Sequence, residues 1–248
     1  MSIELVAAGS VFALTAVLTI AGVGSAFVVI PVLFWLKVPL TEAMAVGLLL
    51  NAISMTVASI NFARLRLIAF RTAVPVIALA VVFSPLGAYS SRFFPRPVLL
   101  ALFVAFLIFA AFMMLLYRPR AGESRLSSPA EIGAGAALGV GAGYLGGLLG
   151  VGGGNFVVPV LVWRGFDPKR ASATTAFIVV FSSLSGFFGH AALGGLPWRL
   201  LGWCAAGSVA GALLGSSLMA QMPSARVKTV IGFVLLAIAG KMAWGLHN

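Results

Sequence analysis

Eight apolar runs, separated by short polar joints, organise the chain. They cover roughly residues 2–36, 42–63, 72–91, 97–117, 129–163, 171–193, 200–220 and 226–246. Runs of 18 or more apolar residues are long enough to cross a bilayer as helices, and none shows the alternation of a barrel strand. Six of the eight have the length of a single crossing. The other two, 2–36 and 129–163, are too long. As one helix, 35 residues would measure about 52 Å against a hydrocarbon core of about 30 Å. Both are interrupted by glycine, at Gly22–Ser25 and at Gly150–Gly154.

The second interruption reads Gly150-Val-Gly-Gly-Gly-Asn-Phe-Val-Val-Pro159. Each of its three successive glycines, Gly152, Gly153 and Gly154, costs a helix about 1 kcal/mol relative to Ala. Asn155 is a good helix cap, so a fresh helix is expected from there. Irregular backbone survives at membrane depth only where it is packed in protein or lines a wet cavity. The stretch is therefore a candidate binding site.

The pattern then repeats. At a constant shift of 128 residues, Gly22-Val23-Gly24 matches Gly150-Val151-Gly152, and Pro31, Leu33 and Trp35 match Pro159, Leu161 and Trp163. Ser54 matches Ser182, Arg71 matches Arg199, Gly87 matches Gly215 and Pro95 matches Pro223. A fixed register of Gly, Pro, Trp and Arg marks a duplicated unit, a common build of secondary transporters. The predicted organisation is repeat 1 over 1–117, a cytoplasmic linker over 118–128 and repeat 2 over 129–248. Pro31 and Pro159 would keep the arms that follow the breaks short or bent. Trp35 and Trp163 would anchor their ends at an interface.

Charge decides how the repeats face. If 2–36 and 129–163 are hairpins that return to the side they entered from, each half crosses an odd number of times and the halves are inverted. The 16 Lys and Arg residues then divide 11 to 5 between the two sides; with single crossings they divide 8 to 8. Cytoplasmic loops carry the Lys/Arg excess. The expected fold is thus an all-α polytopic membrane protein of two inverted repeats, each a broken-helix hairpin plus three transmembrane helices. Both termini are then periplasmic. The N-terminus has only Glu4 as a charge and no convincing cleavage site, so it reads as retained rather than as a signal peptide.

Composition agrees: 61% of residues are hydrophobic and only 8% charged, against about 25% charged in a soluble domain. The net charge of +11 would suggest nucleic acid in a soluble protein. Here it is read as membrane orientation and contact with anionic lipid, with no nucleic-acid partner. Cys204 is the sole cysteine and reads as a small core residue, so neither a metal nor a cofactor is expected. Glu4, Glu42, Glu123, Glu131 and Asp167 all lie at segment ends. A cavity free of mid-membrane carboxylates suits an anion better than a cation. No Walker motif offers ATP drive. Ser185 and His190, five apart, point about 140° away from each other on a helix, which rejects a hydrolase dyad. His190 is read as a lone interfacial side chain rather than a proton relay.

The two breaks carry the predicted site. In an inverted repeat they approach from opposite faces, and each return helix aims its N-terminus at their meeting place. Helix N-termini offer unpaired N–H groups and roughly half a positive charge. Backbone donors are expected from Gly24, Ser25, Gly152, Gly153, Gly154 and Asn155. Side chains of Asn51, Ser54, Thr175 and Ser182 would complete the site. Asn51, Ser54, Ala58 and Asn61 share one helix face, whereas Val179 stands where repeat 1 has Asn51, so the site should be asymmetric. Gly135, Gly139, Gly143 and Gly147, four apart, are read as close helix packing.

The duplicated halves and the Gly-Val-Gly-Gly-Gly-Asn-(x)3-Pro element at 150–159, followed by Leu161, resemble the TauE/SafE sulfite exporter family, also called the toluenesulfonate uptake permease group. The resemblance covers essentially the whole chain. The first copy, Gly22–Leu33, matches less well because Ser25 and Ala26 replace glycines. It implies a bacterial inner-membrane transporter that moves sulfite, a sulfonate such as sulfoacetate, or another small organic anion, often outward. A secondary transporter with alternating access is the expected function. An anion channel using the same tips as a filter is the alternative. A homodimer is compatible with a small transporter, although no feature of the sequence requires one.

Overall fold

The computed structural model describes residues 3–20, 22, 24–26, 29–30, 33, 39–116, 129–192 and 198–247. Among them the only regular structure is helical. The helices are α1 (Ile3–Ile20), α2 (Leu40–Arg64), α3 (Phe70–Ser90), α4 (Arg96–Leu116), α5 (Pro129–Leu148), α6 (Gly154–Trp163), α7 (Pro168–Ala191), α8 (Trp198–Gln221) and α9 (Ser224–His247). Ala26, Val29, Ile30 and Leu33, in the arm after the first break, are also helical. The predicted linker, Pro31, Trp35 and the loop at Lys37 lie outside the described residues.

Shifting α1, α2, α3 and α4 by 128 residues lands on α5, α7, α8 and α9, with start points that agree to within two residues. Four described stretches are long and apolar enough to cross a membrane: Glu42–Arg64, Phe70–Phe93, Pro168–Ala191 and Leu201–Gln221. The chain is a multi-pass membrane protein. Each helix start has a local cause. Asp167 caps α7, accepting from the N–H groups of Lys169 (3.0 Å) and Arg170 (3.4 Å), with Pro168 in the first turn, where its missing N–H costs nothing. The break after α5 is written in glycine: Gly150, Gly152 and Gly153 have φ of 70°, 73° and 76°, a region that costs any other L-residue about 1–2 kcal/mol. The first break matches it, with Gly22 at 70° and Gly24 at 80°.

Packing exchanges the two halves. α3 lies on α5, and α8 lies on α1. Cβ atoms added to Gly139, Gly143 and Gly147 would run into the backbone of Val76, Ala80 and Ser84. On the other pair, Gly207, Gly211 and Gly215 press on the carbonyls of Ala8, Phe12 and Ala16. Both pairs therefore run parallel, and both use glycine to let backbones approach, the expected device where lipid removes the hydrophobic drive between helices. Gly87 meets Tyr144 as Gly215 meets Ala16, and Gly22 meets Ser172 as Gly150 meets Met44; each pair of contacts is one contact seen twice at the shift of 128. Between these pairs α2 crosses α7. Asn51 meets Ser183 and Leu48 meets Gly186, so the two helices run in opposite directions.

Filling one of these glycine contacts should break the pair apart. A Cβ on Gly143 would sit 2.6 Å from Ala80 Cα. Gly143→Leu is expected to destabilise by at least about 3 kcal/mol, the upper end for an overpacked interior. Gly141→Leu, whose Cβ meets nothing within 4 Å, should be close to neutral. Thermal unfolding of the two variants in detergent checks the difference.

Candidate functional site at the two glycine turns

The second break is a reversal of the chain. The N–H of Leu149 still donates to Leu145 O at 3.0 Å, but those of Val151 (2.8 Å) and Gly152 (3.2 Å) both reach back to Gly146 O. These bonds satisfy carbonyls that would otherwise be orphaned at the helix end. The turn folds Gly153 against Ala142, two turns earlier on α5. Gly153 then caps α6, and its carbonyl accepts from Phe156 N at 3.0 Å. The cap is thus Gly153, not Asn155. A left-handed residue is needed where the chain swings into α6, and Asn155 falls one residue inside the helix. Pro159 lies inside α6, buried, and Trp163 at its end is exposed.

The two turns close on one side chain. Asn51 has no exposed surface. A Cβ added to Gly24 would collide with Asn51 Oδ1, and one on Gly152 would collide with Ser183 Oγ and lie 2.7 Å from Asn51 Nδ2. The carboxamide is thus held between a turn of each repeat. Nδ2 donates to Ser183 Oγ at 2.9 Å, while Oδ1 is buried without a partner. Ser182 Oγ donates to Gly152 O at 2.7 Å, and Ser84 Oγ donates to Ser182 O at 2.9 Å, so α3 and α7 hold the second turn jointly.

The predicted residues therefore divide. Gly24, Asn51, Gly152 and Ser182 come together. Ser25 lies at the rim of this group, its Oγ 3.5 Å from that of Ser208, which donates to Leu50 O at 3.3 Å. Ser54 turns to its own helix and donates to Asn51 O at 3.1 Å. Thr175 is fully buried with Oγ1 unpaired. Gly153 and Gly154 begin α6 and are buried. Ser183 and Ser208 were missed by the sequence reading. Their only signal is a hydroxyl inside an apolar run. His190 needs a correction: it has no exposed surface, and its Nε2 lies 2.9 Å from Gly147 O. The end of α7 is covered by α3, through Pro85 and Ala88 against Gly189, so the ring is enclosed by protein.

The family profile described as Sulfite exporter TauE/SafE matches residues 6–242. The chain belongs to the TauE/SafE sulfite exporter family. This is a family of membrane transporters, not enzymes. Among TauE/SafE relatives, the probable membrane transporter protein y4hK of Sinorhizobium fredii is 30% identical over 211 residues, 82% of this chain and 81% of that protein. The probable membrane transporter protein YunE of Bacillus subtilis is 32% identical over 103 residues, 41% of this chain and 38% of YunE. Sulfite exporter TauE/SafE family protein 6 of Arabidopsis thaliana is 41% identical over 61 residues, 25% of this chain and 12% of the plant protein. The chain thus spans well under half the length of the last two. No solved structure is a significant match.

The contact between Gly24 and Asn51 can be isolated. Gly24→Ala should destabilise through both the clash with Asn51 and the positive φ. In an Asn51→Ala background only the φ cost of about 1–2 kcal/mol should remain. A thermal double-mutant cycle measures the coupling; additive effects would mean that the two residues are not in contact.

Proposed function

We propose that this TauE/SafE protein is a secondary transporter in a bacterial inner membrane, moving a small sulfur-containing anion outward. Sulfite or an organosulfonate such as sulfoacetate fits the oxygen-rich acceptor chemistry that helix N-termini bind. The anion is held at the midplane between the two glycine turns, with backbone N–H groups of Gly24, Ser25 and Gly153–Asn155 and the Asn51 Nδ2 group around it; the Gly152 N–H and the Ser182 hydroxyl, bonded to Gly146 O and Gly152 O, shape the second turn. The observation that carries this reading is the meeting of a turn from each half on one fully buried carboxamide.

An inverted arrangement of the halves supports it. The antiparallel crossing of α2 and α7 is what a two-fold axis perpendicular to them produces, and the exchanged contacts at a shift of 128 obey the same operation. With the 11-to-5 distribution of Lys and Arg, both termini fall in the periplasm. Access alternates as one repeat rocks against the other. The close fit of the turns around Asn51 favours a carrier, which requires an occluded state, over a channel filter.

Two experiments test these statements. Reporter fusions at residues 37 and 167 should report opposite sides of the membrane; the same side for both would overturn the inversion. Purified protein screened by thermal shift with sulfite, sulfoacetate, taurine, sulfate and lactate should respond to a sulfur oxyanion, and the best ligand should show countertransport in liposomes. Asn51→Val, which copies Val179, should fold and weaken that binding about tenfold or more. Steady single-channel current from the wild type would instead establish the filter.

A further inference from the structure

We propose that His190 is the proton-coupling site of this carrier, binding a proton on Nδ1 in step with the anion at the turns. The proposal rests on the transport reading above. His190 sits on a membrane-spanning helix with no exposed surface. Gly147 O can only accept, so the 2.9 Å contact makes Nε2 the protonated nitrogen. Nδ1 is then a bare acceptor, buried and without a partner.

The fold itself does not require an imidazole at this place. The equivalent position in repeat 1 is Phe62, which is also fully buried. An apolar ring fills the site there, so His190 adds a basic nitrogen rather than packing volume.

Its one bond ties it to the second turn. Gly147 O also accepts from Gly150 N at 3.1 Å, the N–H that opens the reversal. Gly147 packs on Ser84, Ser84 donates to Ser182 O, and Ser182 donates to Gly152 O. The ring is linked to both ends of the turn that holds Asn51.

Leaving aside the end of the molecule that carries Asp167, the helices packed on α7 bring few charges. They are Glu42 on α2, Tyr144 on α5, Tyr89 and Arg92 around the end of α3, and Lys241 and His247 on α9; α6 brings none. Arg92 lies over the Tyr89 ring at 3.5 Å. None of these groups bonds Nδ1. A buried imidazolium without a countercharge is costly, and so is a buried anion without a cation. Each lowers the cost of the other, so they load together and travel in the same direction, one proton per anion. The combined anion and proton gradients then set the direction of net flux.

The test uses the full chain in two measurements. His190 and His247 are the two histidines, so 15N NMR of His247→Gln protein in nanodiscs reads His190 alone. Nδ1 should protonate reversibly in the folded protein, and sulfoacetate should raise its proton affinity about tenfold. In liposomes holding a pH dye and buffered near neutral pH, where the carboxyl and sulfonate of sulfoacetate are both ionised, its influx should acidify the lumen by one proton per anion. His190→Phe, the residue of repeat 1, should abolish that acidification. The coupling alone is overturned if the anion moves but the imidazole stays neutral until unfolding, or if His190→Phe acidifies like the wild type. If His190 titrates while neither sulfite nor sulfoacetate moves, the transport reading falls and takes the coupling with it.

Discussion

A helix broken inside a bilayer can send its freed backbone groups only to other protein or to a wet site, and this constraint organises the molecule. Two breaks exist because two runs are too long to cross once. Around the second, the freed carbonyls of Gly146, Gly147 and Gly152 are each taken up, by turn N–H groups, by His190 and by Ser182. The polar side chains buried in the protein are concentrated on the helices that surround the turns. α2 and α7 cross at the centre because they carry Asn51, Ser182 and Ser183. The close parallel pairs α1–α8 and α3–α5 flank that crossing.

Glycine has two distinct uses in this chain, and the geometry separates them. Gly139, Gly143 and Gly147 have ordinary helical backbone and serve by having no side chain, so that α3 can lie directly on α5. Gly150, Gly152 and Gly153 serve by adopting positive φ. Gly147 and Gly152 differ by only five positions, yet a Cβ at the first would strike a neighbouring helix, and at the second it would strike the polar cluster at Asn51. The run of glycine from 133 to 154 is therefore a packing stripe that passes into a turn.

Much of the fold was legible in the sequence because membrane helices announce themselves by length. The boundaries of α2, α3, α4, α7, α8 and α9 fall within a few residues of the apolar runs, and the constant shift of 128 placed the second break opposite the first. The cap was harder. Asn155 has the better propensity, but the chain must turn through a left-handed residue first, and that requirement moved the cap to Gly153. Ser183 was invisible for a different reason. Its partner Asn51 lies on a helix that crosses antiparallel, and periodicity along one helix says nothing about the register between two. The burial of His190 was equally invisible, because position along a segment does not say which neighbouring helix covers it, here α3.

The asymmetry between the repeats carries the last step. Duplication would produce two equal half-sites, but the chain keeps Asn51 in one half against Val179 in the other, and His190 in one against Phe62 in the other. Asn51 belongs to repeat 1 and reaches Ser183 of repeat 2; His190 belongs to repeat 2 and bonds the turn of its own half. Each half thus contributes one of the two unusual polar groups, and in both cases the equivalent position is apolar. A duplicated scaffold supplies two turns that meet on one side chain. Single substitutions then supply the chemistry, because a buried polar group without a matched partner costs energy wherever it stands. One copy of each limits that cost to one carboxamide oxygen and one imidazole nitrogen, the second open to a proton.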